Sequence, residues 1–148
     1  MDVNTEKTPT IGIVPSRKSV ASLPKLEPIE VNQVLLIDDN PIQLRVRETI
    51  LRGAGFQVSI ATTAEGALAV LRTAANKFGV IVTDHVLPSA SGADFVRELR
   101  SVDPTTPVIV VSGMPDVAEE YEGLNAVVRQ KPLPPQELIS LVRERMPE

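Results

Sequence analysis

The stretch VLLIDDN, residues 34–40, runs four apolar residues without a break into two acids and an asparagine. A strand with one face in water alternates apolar and polar residues. An unbroken Val/Leu/Ile run suits a strand covered on both faces, as in a parallel sheet flanked by helices. Immediately downstream, Pro41 fits a first helical position with Asn40 as its N-cap. Ile42, Val46 and Ile50 then recur at i, i+4 and i+8, the spacing of an apolar helix face, and Gly53 and Gly55 end the helix.

The same unit repeats along the chain. Further short apolar runs occupy residues 56–60, 80–82, 108–111 and 126–128. Between them, Ala64, Ala67, Leu68 and Leu71 form a second helical stripe, and Phe95, Val96 and Leu99 a third. A fourth helix, about residues 116–122, is short and thinly apolar, with only Val117, Ala118 and Tyr121. The last starts near Pro135 with Leu138, Ile139 and Val142 inward. Five βα units with right-handed crossovers predict a doubly wound α/β fold. It is a five-stranded parallel sheet in a three-layer α/β/α sandwich, with its site outside the carboxyl ends of the strands.

Composition bounds the function. The 148 residues suit one ordinary domain, and 43% are hydrophobic, enough for a core. A net charge of -4 argues against a broad nucleic-acid surface. Without cysteine there is no disulfide framework and no thiolate metal site, and one histidine excludes a polyhistidine centre. No run approaches the roughly 18 apolar residues that span a bilayer, and the start lacks a basic-then-apolar leader. The expectation is therefore a cytoplasmic protein with no membrane contact. Residues 1–30 hold Pro9, Pro15, Pro24 and Pro28, no aromatic, and charges that cancel. They read as a disordered arm preceding a folded segment over 31–148, with docking on a partner as the rival reading.

The polar residues at the strand ends carry the chemistry. Asp38 and Asp39 follow the first strand, Asp84 the third, Ser112 the fourth, and Lys131 the fifth. The topology converges all five on one edge of the sheet. Clustered carboxylates repel, and a divalent cation relieves that repulsion. An all-oxygen donor set suits Mg2+. One carboxylate can then attack phosphorus while Ser112 donates a hydrogen bond to a phosphoryl oxygen and Lys131 offers a positive charge to another. The set fits reversible phosphoryl transfer onto a carboxylate.

In these motifs, VLLIDDN (34–40), VIVTDHVLPSASG (80–92), VIVVSG (108–113) and RQKP (129–132), the sequence resembles the CheY-like receiver domain of two-component response regulators. The resemblance covers about residues 32–146. It implies flavodoxin-like topology with strand order 2-1-3-4-5. It also implies Asp84 as phosphoacceptor from a sensor histidine kinase or phosphotransfer protein. Asp39 would be a direct Mg2+ ligand, Asp38 would act mainly through metal-bound water, and the Val86 backbone carbonyl would be a further ligand. Ser112 corresponds to the switch hydroxyl, and Lys131 to the invariant lysine, with a cis bond to Pro132. Such a domain catalyses its own Mg2+-dependent phosphorylation and dephosphorylation but is mainly a signalling switch. His85 reads as a neighbouring loop residue, because receivers need no general-base histidine. The side chains of Val86 and Met114 flank the site and tune access of hydrolytic water without taking part in its chemistry.

Three features depart from the family pattern. The aromatic position three residues before the lysine is Val128, and Tyr121 does not replace it by spacing. Only 18 residues separate Ser112 from Lys131, so the fourth helix should be short or irregular. The loop 88–92 keeps its proline and glycine but is small and polar between them. No output domain follows Met146, so the expectation is a stand-alone receiver acting on an unidentified protein target, without direct nucleic-acid contact; homodimerisation is left open. The alternative is a degenerate receiver serving as a phosphorylation-independent interaction module. Mg2+ phosphohydrolases with an aspartyl nucleophile fit less well, since they place nucleophile and acid two residues apart after the first strand. A nucleotide-binding fold lacks its glycine-rich loop here.

Overall fold

The structure is a computed structural model and describes residues 32–74 and 77–147. The arm read over residues 1–30 lies outside the described residues. The elements in chain order are β1 (Gln33–Ile37), α1 (Pro41–Gly53), β2 (Gln57–Ala61), α2 (Ala64–Thr73), β3 (Val80–Asp84), β4 (Val86–Leu87), β5 (Ala90–Ser91), α3 (Gly92–Arg100), β6 (Val108–Ser112), a 3-10 turn (Ala118–Tyr121), β7 (Ala126–Gln130) and α4 (Pro135–Arg145). The main sheet is parallel throughout, in the order β2-β1-β3-β6-β7. Setting aside the two-residue β4–β5 hairpin, this is the expected order 2-1-3-4-5.

Strand alternation divides the core in two. Leu35, Ile37, Ile81 and Val110 face the layer that holds Leu68, Leu71, Phe95 and Leu99 of α2 and α3. Val34, Leu36, Val82 and Ile109 face Leu44, Leu51, Leu138 and Val142 of α1 and α4. Every residue of β3 and β6 is buried, which is why these strands read as unbroken apolar runs.

The helix caps follow their sequence signals. Asn40 Oδ1 accepts from the backbone N–H of Ile42 and Gln43, at 2.9 and 3.0 Å, with Pro41 in the first turn. Ser91 and Asp94 close a capping box at the start of α3. The Lys131–Pro132 bond is cis, as expected.

Four readings need correction. The face Ile42–Val46–Ile50 does not enter the core: Ile42 is 74% and Val46 51% exposed, and Ile50 is only partly buried. Leu44 and Leu51 pack inward instead, and at roughly 100° per residue they lie nearly opposite Ile42 and Val46 on α1. The second strand begins at Gln57 rather than Phe56, and the fifth continues to Gln130. In α4, Leu141 is buried with Leu138 and Val142, while Ile139 is only partly covered. The fourth helix, by contrast, is short and irregular as expected: a single 3-10 turn over Ala118–Tyr121, in keeping with its few apolar anchors.

The loop from α3 to β6 turns on one buried acid. Asp103 accepts the Thr105 and Thr106 N–H groups at 3.1 Å each and the Thr106 hydroxyl. Burial works against its ionisation. The Thr106 hydroxyl, the two N–H groups and the nearby Arg100 outweigh that, and its pKa falls below the usual value. A depressed carboxyl pKa stabilises the fold above the unfolded-state value, and the contribution disappears as pH falls through the folded one. Asp103→Asn is expected to cost about 1–2 kcal/mol near pH 7 by urea unfolding. The gap to wild type should close as pH drops below the ordinary carboxylate range; a gap constant with pH would contradict this.

Candidate functional site

The carboxyl ends of β1 and β3 are neighbours in the sheet, with Ile37 opposite Thr83. The chain leaving each strand therefore delivers its acids to one place. Asp38, Asp39 and Asp84 each offer a carboxylate oxygen, and these oxygens all lie within 4.8 Å of one another. Asp38 and Asp84 are buried and Asp39 is exposed. The Asp38 N–H donates to the Ala61 carbonyl at the end of β2.

Asp38 is held on both oxygens. Oδ1 accepts from the Asn40 N–H at 2.9 Å, and Oδ2 accepts from Arg47 Nη1 at 2.9 Å. Burial is the strongest influence on this carboxyl and pushes its pKa up. The Asn40 N–H pulls it down, the Asp84 charge pushes it up, and Arg47 and Lys131 pull it down; the net position is above the usual value.

Lys131 Nζ sits 2.8 Å from Asp84 Oδ1 and donates to Gln43 Oε1 at 2.9 Å. The lysine contacts Asp84 by charge, but off the direction of a hydrogen bond: buried Asp84 Oδ1 has no hydrogen-bond donor among the described residues. The lysine backbone is fixed as well, its N–H donating to the Ser112 carbonyl at 2.7 Å across the β6–β7 pair. Three carboxylates against Lys131 and Arg47 leave the cluster net negative. A buried carboxylate oxygen short of donors, beside two further acids, is a donor set that fits a hard divalent cation.

Ser112 stands at the end of β6, next to β3, and is almost fully buried. Its hydroxyl is occupied by its own loop, donating to the Met114 carbonyl and accepting from the Met114 N–H, both at 2.9 Å. The structure thus brings together Asp38, Asp39, Asp84 and Lys131. It places Ser112 on the adjacent strand end with its hydroxyl turned to the following loop. Val86 lies in the short β4, and its side chain is exposed.

Three residues at the site were not legible as participants. Arg47 and Gln43 of α1 were not singled out, yet Arg47 binds Asp38 directly, and Gln43 accepts from both Arg47 and Lys131. His85, read as a loop neighbour, is buried, and its Nδ1 lies 2.6 Å from the Tyr121 hydroxyl. Tyr121 is itself buried, and its pKa is raised, by burial first and then by the charges of Glu120 and Asp84. The pair ties the 3-10 turn to the residue after Asp84. Gly92 completes the contact: a Cβ there would overlap the Tyr121 hydroxyl and lie 2.9 Å from the Asp84 carbonyl. Even spacing could not show this, because the two partners lie 36 residues apart.

A family model for the response regulator receiver domain matches residues 34–143. The chain belongs to that family. It is 28% identical over 134 residues to the two-component response regulator ARR22 of Arabidopsis thaliana, covering 84% of this chain and 94% of that protein. It is also 28% identical over 117 residues to the DNA-binding response regulator MtrA of Mycolicibacterium smegmatis, covering 77% of this chain; it spans half the length of that relative. Among solved structures, a response regulator receiver protein from Pseudomonas putida matches with a TM-score of 0.71 at 29% identity, over 78% of this chain and 98% of that one. The chemotaxis response regulator CheY4 of Vibrio cholerae matches with a TM-score of 0.69 at 25% identity, over 78% and 99%. Among the described residues no helix is long and apolar enough to cross a membrane.

Tyr121→Phe removes the hydroxyl that faces His85 and leaves a buried ring nitrogen without its partner. A loss of about 1–3 kcal/mol in chemical unfolding is expected. An unchanged midpoint would mean that the His85–Tyr121 contact adds nothing to the fold.

Proposed function

We propose that this chain is an active phosphoacceptor receiver that takes a phosphoryl group on Asp84 and signals through altered protein contacts. The observation that carries the reading is the position of Asp84. It is buried against two other carboxylates, its Oδ1 lies 2.8 Å from Lys131 Nζ, and that oxygen lacks a hydrogen-bond donor among the described residues.

The chemistry derives from the residues. An Asp84 oxygen attacks the phosphorus of a phosphohistidine. The P–N bond breaks, the imidazole leaves and picks up a proton, and an aspartyl phosphate remains. Lys131, already beside Asp84, pairs with a phosphoryl oxygen as charge develops there. Ser112 releases Met114 and turns its hydroxyl to another phosphoryl oxygen, so the loop after β6 carries the change of state. Asp38, Asp39, Asp84 and the Val86 carbonyl would hold Mg2+, which offsets carboxylate repulsion and screens the incoming phosphoryl group. Water later hydrolyses the acyl phosphate and restores the carboxylate.

Receiver domains work with histidine kinases or phosphotransfer proteins, and the face for such a donor lies next to the acids. Ile42, Val46, Ile50, Pro132, Leu133 and Leu138 line an apolar groove that shares Gln43, Arg47 and Lys131 with the site. A phosphohistidine-bearing helix laid on α1 would bring its imidazole over Asp84.

With Mg2+ and acetyl phosphate, the wild-type chain is expected to gain the mass of one phosphoryl group. Asp84→Asn, and wild type with the cation chelated, should gain none. Val46→Glu should slow transfer from a phosphohistidine protein about tenfold or more, and far more than transfer from acetyl phosphate. A folded wild type that accepts phosphate from neither donor would contradict the reading and leave phosphorylation-independent docking as the account.

A further inference from the structure

Arg47 is the unexplained charge of the site. It lies two turns into α1 with its side chain only 11% exposed, and its partner Asp38 is fully buried. Two hydrogen bonds fix the guanidinium: Nη1 to Asp38 Oδ2 at 2.9 Å, and Nη2 to Gln43 Oε1 at 3.3 Å. The same amide oxygen accepts from Lys131 Nζ at 2.9 Å. One glutamine oxygen therefore joins two cations, and each cation rests on a different acid, Arg47 on Asp38 and Lys131 on Asp84. Since Asn40 binds the other oxygen of Asp38, each oxygen of that carboxylate already accepts one charge-assisted hydrogen bond.

We infer that Arg47 is a built-in counterion of the acid cluster, one that a divalent cation must compete with, so that this side chain sets the cation affinity of the site. The inference rests on the cation site read into Asp38, Asp39 and Asp84. Without the cation, Arg47 compensates a carboxylate that is shielded from bulk water. When the cation arrives, two positive groups draw on one acid across a poorly screened distance. Arg47 then shares Asp38 or swings away along Gln43. The receiver would load only where the cation is plentiful, and its cation-free form would stay folded.

Two observables should move in opposite directions when Arg47 is removed, which a merely structural arginine does not produce. The cation should bind more tightly, and the cation-free protein should become less stable, because breaking a buried pair leaves its partner uncompensated. Arg47→Met keeps the length and loses the charge. Arg47→Lys keeps the charge and loses the fork that spans Asp38 and Gln43.

The test is calorimetric titration of the full chain with Mg2+ alone, beside thermal unfolding with and without Mg2+. Wild type, Arg47→Met, Arg47→Gln, Arg47→Lys and Asp39→Asn are compared. Arg47→Met is expected to bind Mg2+ about tenfold more tightly than wild type. It should unfold earlier than wild type without Mg2+, with the gap narrowing at saturating Mg2+. Arg47→Lys, which retains the charge, should bind close to wild type, and Arg47→Gln, which also removes the charge, should tighten binding as Arg47→Met does and carries the test if the methionine variant folds poorly. Equal or weaker Mg2+ binding by Arg47→Met, with wild type binding and Asp39→Asn not, overturns this inference alone and makes Arg47 a positioning residue for Asp38. If wild type and Arg47→Met both fail to bind, the cation site itself falls and the inference falls with it.

Discussion

Three carboxylates within 4.8 Å of one another, two of them buried, are the constraint around which this fold is arranged. Such a cluster is costly in a protein interior unless positive charge or donors are built around it. The surroundings meet that need from separate parts of the chain. Asn40 gives a backbone N–H, Arg47 a guanidinium from α1, and Lys131 an ammonium from the far end of the sheet. The cover is incomplete at Asp84 Oδ1, and that is the oxygen beside the lysine.

The parallel sheet makes this possible. Adjacent strands β1, β3 and β6 end at the same level, so the residues that leave each strand arrive together. Helices on both faces bury the strands, and the polar side chains gather at the strand ends. The ties to the rest of the molecule also run from these ends. Ser112 holds the loop to Met114 through its hydroxyl and holds Lys131 through its carbonyl. His85 reaches across to Tyr121 on the 3-10 turn. A change of charge at Asp84 therefore bears on two segments beyond the sheet.

The apolar runs and strand-end acids were legible because they are local: an unbroken Val/Ile run and the residue after it can be read in place. The same holds for Asn40 and Ser91 as caps, since a cap acts within one turn. The direction of α1 was not legible. Its apolar residues fall into two rows, and spacing alone cannot say whether Ile42–Val46 or Leu44–Leu51 turns to the sheet. The folded structure turns Leu44 and Leu51 inward and leaves Ile42 and Val46 exposed beside the site. Arg47, Gln43 and the His85–Tyr121 pair escaped notice for a related reason, since each acts through a partner brought near by the fold.

The central claim is that Asp84, among the three clustered acids, forms the covalent bond to phosphorus. The most direct measurement traps that bond by borohydride reduction after phosphorylation with Mg2+ and acetyl phosphate, then locates the reduced residue by peptide mass mapping. An aspartyl phosphate reduces to homoserine, while a free carboxylate does not react. Homoserine at position 84, with Asp38 and Asp39 unchanged, is the predicted result. Homoserine at 38 or 39, or at none of the three in a protein that has gained phosphate, would contradict the account.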